Sequence, residues 1–209
     1  GLWELRSGRL KTKLSLQPAI ESGVLRLSTE VEYRIQIKKS DQKSVSVSKI
    51  GDKLIIREPI EAFMVQDRAL NQRPEEPIEA FMVQDRALNQ RPEISSEERE
   101  AALWNFLMKD QLLLLKQKLD HLAEGWIDER CSRVRMRFAM SRWGSCDRRS
   151  RVIMLGAKLL LVAPKLLDYV CVHELAHLQH SRHTDLFWNL VEQKMPDWKI
   201  QRKRLKNFE

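Results

Sequence analysis

The sequence predicts an α+β fold. Three observations carry this: apolar and polar residues alternate with period two in two short regions, 33–57 and 133–155; helical periodicity with start and stop signals fills 95–125 and the stretch from Pro164 onward; and 209 residues with 43% hydrophobic content suffice for one domain with a sizeable core, or a domain plus an appendage.

Taken in order, residues 1–32 carry a weak signal, with strand character around "GVLRLS". In "YRIQIK", Tyr33, Ile35 and Ile37 alternate with polar neighbours, and "SVSVSKIGDKLIIRE" reads as a hairpin turning at Gly51-Asp52. Residues 1–57 are thus an amino-terminal β-rich region. Next comes an internal repeat: "EPIEAFMVQDRALNQRPE" occupies Glu58 to Glu75 and recurs unchanged at Glu76 to Glu93. Working arrays drift in sequence and need about three or more units to bury a core. Two identical copies point to a very recent duplication or an artefact, and 58–93 reads as a duplicated linker insertion bounded by prolines. Residues 94–209 form the remaining domain.

There, "SSEE" offers a capping box between Ser95 and Glu98, opening a helix with apolar positions at Trp104, Leu107, Leu115, Leu119 and Leu122 and a stop at Gly125. "RVRMRFAM" is a strand with one buried and one basic face, and "RVIML", after the loop "WGSCDRRS", is its partner. Pro164 suits the first position of a helix that carries Leu166, Leu167, Val170 and Val172 into "VHELAHLQHSRHTDLF".

That last stretch holds four of the chain's five histidines. Residues four apart on a helix are separated by only about 40°, so His173 and His177 point at one place. Two imidazoles leave a tetrahedral zinc partly open, and Glu174, beside the first, can reach a water on the ion rather than the ion itself, as hydrolysis requires. For a third ligand, His180 on a continued helix lies about 20° from His173 and His183 about 80° away. Thr184, Asp185 and the apolar set Leu186, Phe187, Leu190 and Val191 nevertheless read as an N-cap and a fresh helix running to Pro196. The first helix then ends near Ser181, and a turn there can swing His183 over the metal. Residue geometry leaves both histidines open, with His183 ahead.

The run from "SRWGSCDRRSRVIML" through "PKLLDYVCVHELAHLQHSRHTDLFW" to the basic carboxyl end resembles the YgjP-like metallopeptidase domain, a zincin group of metal-dependent hydrolases related to SprT-like and WLM proteases. The likeness spans about Arg133 to Leu205; the hairpin at 33–57 is more loosely similar to the family's first strands, and the duplicated 18-mer departs from the pattern. The resemblance implies a zincin-like domain, a small antiparallel or mixed sheet packed on the HExxH helix. It further implies Zn2+ held by His173, His177 and His183, no ligand role for His180, catalytic Glu174, and hydrolysis of peptide bonds in a protein or peptide substrate. Trp143, Gly144, Ser145 and Cys146 match the family's other marked motif. The glycine suggests a tight turn, and the segment is expected to shape the substrate cleft. Tyr169, one turn before His173, and Arg142 are candidates to stabilise the transition state. Cys146 reads as a small buried or loop residue, and Phe187 and Trp188 as core below the site.

Composition narrows the setting. The three cysteines, Cys131, Cys146 and Cys171, form no CxxC, so neither a disulfide framework nor a zinc ribbon is indicated and a cytoplasmic protein is expected. The longest apolar runs, Leu112 to Leu115 and Leu159 to Ala163, are too short to span a bilayer. The net charge of +8, with eight arginines against Asp147 alone between Arg130 and Arg151, keeps a rival open: a nucleic-acid-binding protein or DNA-associated protease. Hydrolysis of a non-peptide amide is the other alternative. A purely structural zinc normally takes four protein ligands and has no use for Glu174.

Overall fold

A computed structural model describes residues 14–60, 94–138 and 142–208. The linker expected at 58–93 therefore lies outside the described residues except for its first three positions. In chain order the elements are α1 (Gln17–Ser22), β1 (Val24–Arg26), β2 (Glu32–Ser40), β3 (Ser46–Ile50), β4 (Lys53–Pro59), α2 (Ser96–Asp110), α3 (Leu112–Ala123), β5 (Arg133–Arg137), β6 (Gly144–Asp147), β7 (Val152–Gly156), α4 (Pro164–Gln179), α5 (Asp185–Lys194) and α6 (Trp198–Leu205). Short 3-10 turns precede α4, at Ala157–Leu161, and follow α6, at Lys206–Phe208.

The first sheet has the order β1-β2-β4-β3. Strands β3 and β4 form the expected antiparallel hairpin, closed at Gly51 with φ +60°, while β2 pairs with β4 in parallel. Tyr33 and Ile35 are buried, but Ile37 is 46% exposed, so the alternation in β2 outlasts its burial. Strand β4 continues through Glu58 and Pro59, two residues beyond the expected boundary at 57. The reason is tertiary. Glu58 is buried, its carboxylate accepts a hydrogen bond from Arg99 Nε of α2, and Lys39 Nζ of β2 lies 3.3 Å from it.

The capping box forms as read: Ser95 Oγ accepts from Glu98 N, and Glu98 Oε2 accepts from Ser95 N, both at 3.2 Å. The single long helix does not. It divides at Gln111 into α2 and α3. Gln111 is fully buried and its side-chain amide is taken up by tertiary partners, donating to Tyr33 Oη (3.0 Å) and Asp110 Oδ2 (2.8 Å) and accepting from Thr29 Oγ1 (2.7 Å).

The second sheet has the order β5-β7-β6, with β5 parallel and β6 antiparallel to β7. Here the loop expected from "WGSCDRRS" is corrected: Gly144–Asp147 is a strand, and the reversal comes only at 148–151, where the Asp147 carboxylate accepts from Arg149 N, Ser150 N and Ser150 Oγ. Glycine and serine have low strand preference, so pairing with β7 and packing on α4 override local propensity.

One continuous apolar core, from Leu16 to Leu205, underlies both sheets. Ser28 ties the amino-terminal part to the turn before α4, donating from Oγ to Leu159 O (2.6 Å) and from its backbone N to Leu160 O (2.8 Å). Helix α4 starts at Pro164, whose missing N–H is not needed there. Leu166, Leu167, Cys171, Val172, Leu175 and Ala176 bury it from several sides, so it is a core helix rather than an amphipathic surface one. Truncation of Leu175 to alanine would cost about 2–5 kcal/mol. Among the described residues no helix is long and apolar enough to cross a membrane.

Candidate metal centre

The centre is built at the corner between two helices. Helix α4 ends at Gln179, and His180 leaves the helix at φ −123° and ψ 112°. The chain turns through 181–183, Thr184 takes the extended N-cap conformation, and α5 begins at Asp185. The Thr184 hydroxyl makes no capping hydrogen bond; position and backbone angle alone mark this helix start. The corner brings His183 back against α4, with its Nε2 3.0 Å from His173 Nε2 and its ring centroid 4.7 Å from that of His177.

The potential ligand atoms of His173, His177 and His183 all lie within 4.8 Å of one another. Nitrogens bound tetrahedrally at about 2.1 Å to one ion stand roughly 3.4 Å apart, so this donor set fits a divalent metal of zinc's size. His180 is outside the group, but its backbone matters. The His180 carbonyl lies 2.9 Å from His177 Nδ1 and can only accept, which places the proton on Nδ1 and leaves the Nε2 lone pair free. Phe187 is fully buried beneath all three rings, with centroids 5.0, 4.6 and 4.8 Å from His173, His177 and His183. Trp188, expected in the core, is only half-buried: it stacks on Trp198 at 4.1 Å and on His183 at 5.5 Å, forming a wall of the site rather than its floor.

Electrostatics favour neutral imidazoles and an unpaired acid. Burial, then the neighbouring His177 and His183, lower the His173 pKa to about 3, so its ring stays neutral, the state a metal needs. The His183 pKa is lowered for similar reasons, burial first. Burial pushes Glu174 up to about 8, opposed by the charge of Arg142. Glu174 Oε2 and His173 Nδ1 are both buried without a hydrogen-bond partner among the described residues, an arrangement that costs free energy unless something else satisfies it.

Strand β6 lies against α4 at this point, and Gly144 explains how. A Cβ there would stand 2.6 Å from Glu174 Oε1 and 2.8 Å from its Cγ, so only glycine lets the strand approach the carboxylate. The glycine expected to make a turn is needed for this close approach instead.

Beside Glu174 opens a cleft of about 310 Å³. Of the expected contacts, Arg142, Trp143, Gly144 and Tyr169 line it, together with His173 and Glu174; Ser145 does not. Tyr169 is buried and its hydroxyl pKa is pushed up to about 12, chiefly by burial, so it remains a donor at neutral pH. Cys146 is likewise raised to about 12 by burial and by Glu174, which makes it an inert thiol. The sequence reading missed Arg202, Leu205 and Lys206, which α6 and the turn after it contribute to the cleft. The basic run "KIQRKRLK" shows their charge, but nothing local in it shows that α6 packs beside the cleft.

No curated protein matches the chain significantly in sequence. Among solved structures, the metallopeptidase zymogen of Pyrococcus abyssi abylysin is similar at 26% identity, over 44% of this chain and 90% of that one, with a TM-score of 0.40. The YgjP-like metallopeptidase domain matches residues 61–208, which takes in the HExxH helix, the returning histidine and both walls of the cleft. With most of its length so matched, the chain belongs to the YgjP-like metallopeptidase family.

Proposed function

We propose that the protein is a zinc-dependent peptidase in which His173, His177 and His183 hold the ion and Glu174 is the general base. The observation that carries this is the convergence of three imidazoles next to a buried carboxylate whose Oε2 has no hydrogen-bond partner among the described residues. A bound Zn2+ would polarise the scissile carbonyl and acidify a water at its open position. Glu174 Oε2, which has no hydrogen-bond partner among the described residues, would accept the proton of an attacking water and deliver it to the departing amine nitrogen. His177 is held in the right tautomer by the His180 carbonyl. Tyr169, protonated and lining the cleft, would donate to the developing oxyanion, and Arg142, which lines the same cleft, would add positive charge.

Strand β6 supports the choice of an extended peptide over a small amide. Among the described residues it is an edge strand of its sheet and borders Glu174 through Gly144, the place at which an extended substrate could pair as an added strand. Digestion of casein or an unstructured bait protein by zinc-loaded protein, with a chelator control, tests the reading. Glu174→Gln is expected to keep zinc and lose cleavage; a variant that cuts as fast as the parent would remove Glu174 from the role of base.

A further inference from the structure

Three cations line the cleft: Arg142 from the segment before β6, and Arg202 and Lys206 from α6 and its carboxyl end. Glu174 is the only carboxylate among the lining residues. Among the described residues no carboxylate forms an ion pair with any of the three cations. Relief along α6 is also missing, because the positions one turn from Arg202 are Trp198, Lys199, Leu205 and Lys206. The like charges of Arg202 and Lys206 stand four residues apart, and no carboxylate among the described residues pairs with either to offset their repulsion.

Arg202 is also held in place. Its guanidinium carbon lies 5.0 Å over the Trp188 ring, and Trp188 in turn stacks on Trp198. A cation seated on an aromatic face loses less freedom on binding an anion than a free surface side chain does. Trp188 stands 5.5 Å from the His183 ring. The guanidinium is therefore within about 11 Å of an imidazole of the metal centre, the span of roughly three extended residues. Arg202 and Lys206 also border a second hollow of about 420 Å³ with Trp198, Lys199 and Lys203, so the positive wall continues outward from the cleft.

We propose that Arg202, supported by Lys206 and Arg142, is a specificity-determining carboxylate subsite that selects peptides carrying an aspartate, a glutamate or a free carboxyl terminus within about three residues of the scissile bond. The proposal deepens the peptidase reading and rests on it for the identity of the substrate. The fork of a guanidinium matches a carboxylate's two oxygens, and the apolar wall around it strengthens the pair relative to open water.

Two readouts test it separately from catalysis. First, a labelled acidic peptide and its Gln-for-Glu counterpart are titrated against zinc-loaded Glu174→Gln protein by fluorescence anisotropy. The acidic peptide is expected to bind about tenfold more tightly, and Arg202→Gln to erase the difference while Arg202→Lys restores part of it. Equal binding of the two peptides, or a preference that survives both Arg202→Gln and Lys206→Gln, overturns the proposal. Second, cleavage sites of the zinc-loaded parent protein in a peptide library are mapped by mass spectrometry. Enrichment of acidic residues within three positions of the cut, with KM rather than kcat rising in Arg202→Gln for acidic peptides only, supports it; cuts without charge preference overturn it and leave the peptidase reading standing. Charge-selective binding without cleavage of any peptide would instead overturn the peptidase reading and support the subsite. A single-stranded oligonucleotide that displaces the acidic peptide and binds at least tenfold more tightly, in an Arg202-dependent way, would assign the cations to phosphate and overturn the proposal.

Discussion

Glu58 at the end of the amino-terminal sheet and Glu174 on α4 are nearly equally buried, 2% and 5% exposed, yet their surroundings are opposite. Burial pushes the Glu58 carboxyl up, but the hydrogen bonds and charges of Arg99 and Lys39 outweigh it and hold the group below its ordinary value. Burial acts on Glu174 with the charge of Arg142 but no hydrogen-bonded cation against it, and its pKa rises to about 8. A paired buried carboxylate is a fixed structural charge. An unpaired one has spare basicity, which in this protein lies beside three convergent imidazoles. Near the first sheet Tyr33, Lys49, Asp110 and Gln111 satisfy one another in a network, whereas Glu174 Oε2 and His173 Nδ1 have no hydrogen-bond partner among the described residues.

The largest expected effect comes from removing the open acid. Glu174→Gln should lower kcat for peptide cleavage by about 10²–10⁴-fold with zinc content unchanged, whereas Glu58→Gln should leave kcat intact. The contrast fails if both variants lose activity together. Next, His183→Ala should reduce zinc affinity by about 10²-fold or more, and His180→Ala should not, because only the backbone carbonyl of His180 meets the site. Metal content after dialysis against graded chelator reads this directly.

Deleting the partner of the closed acid should cost stability instead. Arg99→Ala leaves Glu58 with Lys39 as its remaining partner and is expected to destabilise the fold by about 1.5–3 kcal/mol in urea titrations, a cost smaller in the Glu58→Gln background. At Gly144 an added Cβ would press on Glu174, so Gly144→Ala should cost about 1–3 kcal/mol or displace the carboxylate and slow cleavage. Combining it with Glu174→Ala should recover most of the stability loss, since the obstructing carboxyl is gone.

The pH dependence of the metal-free protein has opposite signs at the two glutamates. Glu58, depressed in the folded state, adds stability that is present above its unfolded pKa near 4.5 and lost as pH falls through its lower folded value. Glu174, raised from 4.5 to about 8, opposes folding progressively as pH rises across that interval. Glu174→Gln should flatten the decline between pH 4.5 and 8, and Glu58→Gln the acid limb below it. Unfolding midpoints measured across pH in the two variants check both slopes.

Local information made much of the architecture legible. Ser95 with Glu98, Pro164, and the hairpin turn at Gly51 all mark boundaries through backbone chemistry confined to a few residues, and each lies where the sequence pattern put it. The strand at Gly144–Asp147 was not legible, because glycine and serine take their strand conformation from β7 and α4 rather than from their own preference. The break at Gln111 and the extension of β4 to Pro59 were hidden for the same reason: Gln111 answers to Tyr33 and Thr29, and Glu58 to Arg99, all distant in sequence.

The sequence by itself determined that His173 and His177 share a helical face with Glu174 between them, and that a new helix begins after Thr184. Both follow from the 3.6-residue period and from capping positions, which need no long-range contact. Tertiary structure alone decided that Glu174 Oε2 would have no hydrogen-bond partner among the described residues, that Gly144 would be pressed against the carboxylate, and that Arg202 and Lys206 would line the same cleft. Those outcomes depend on desolvation and on the packing of β6 and α6 against α4, quantities set by chain segments tens of residues apart and invisible to any local pattern.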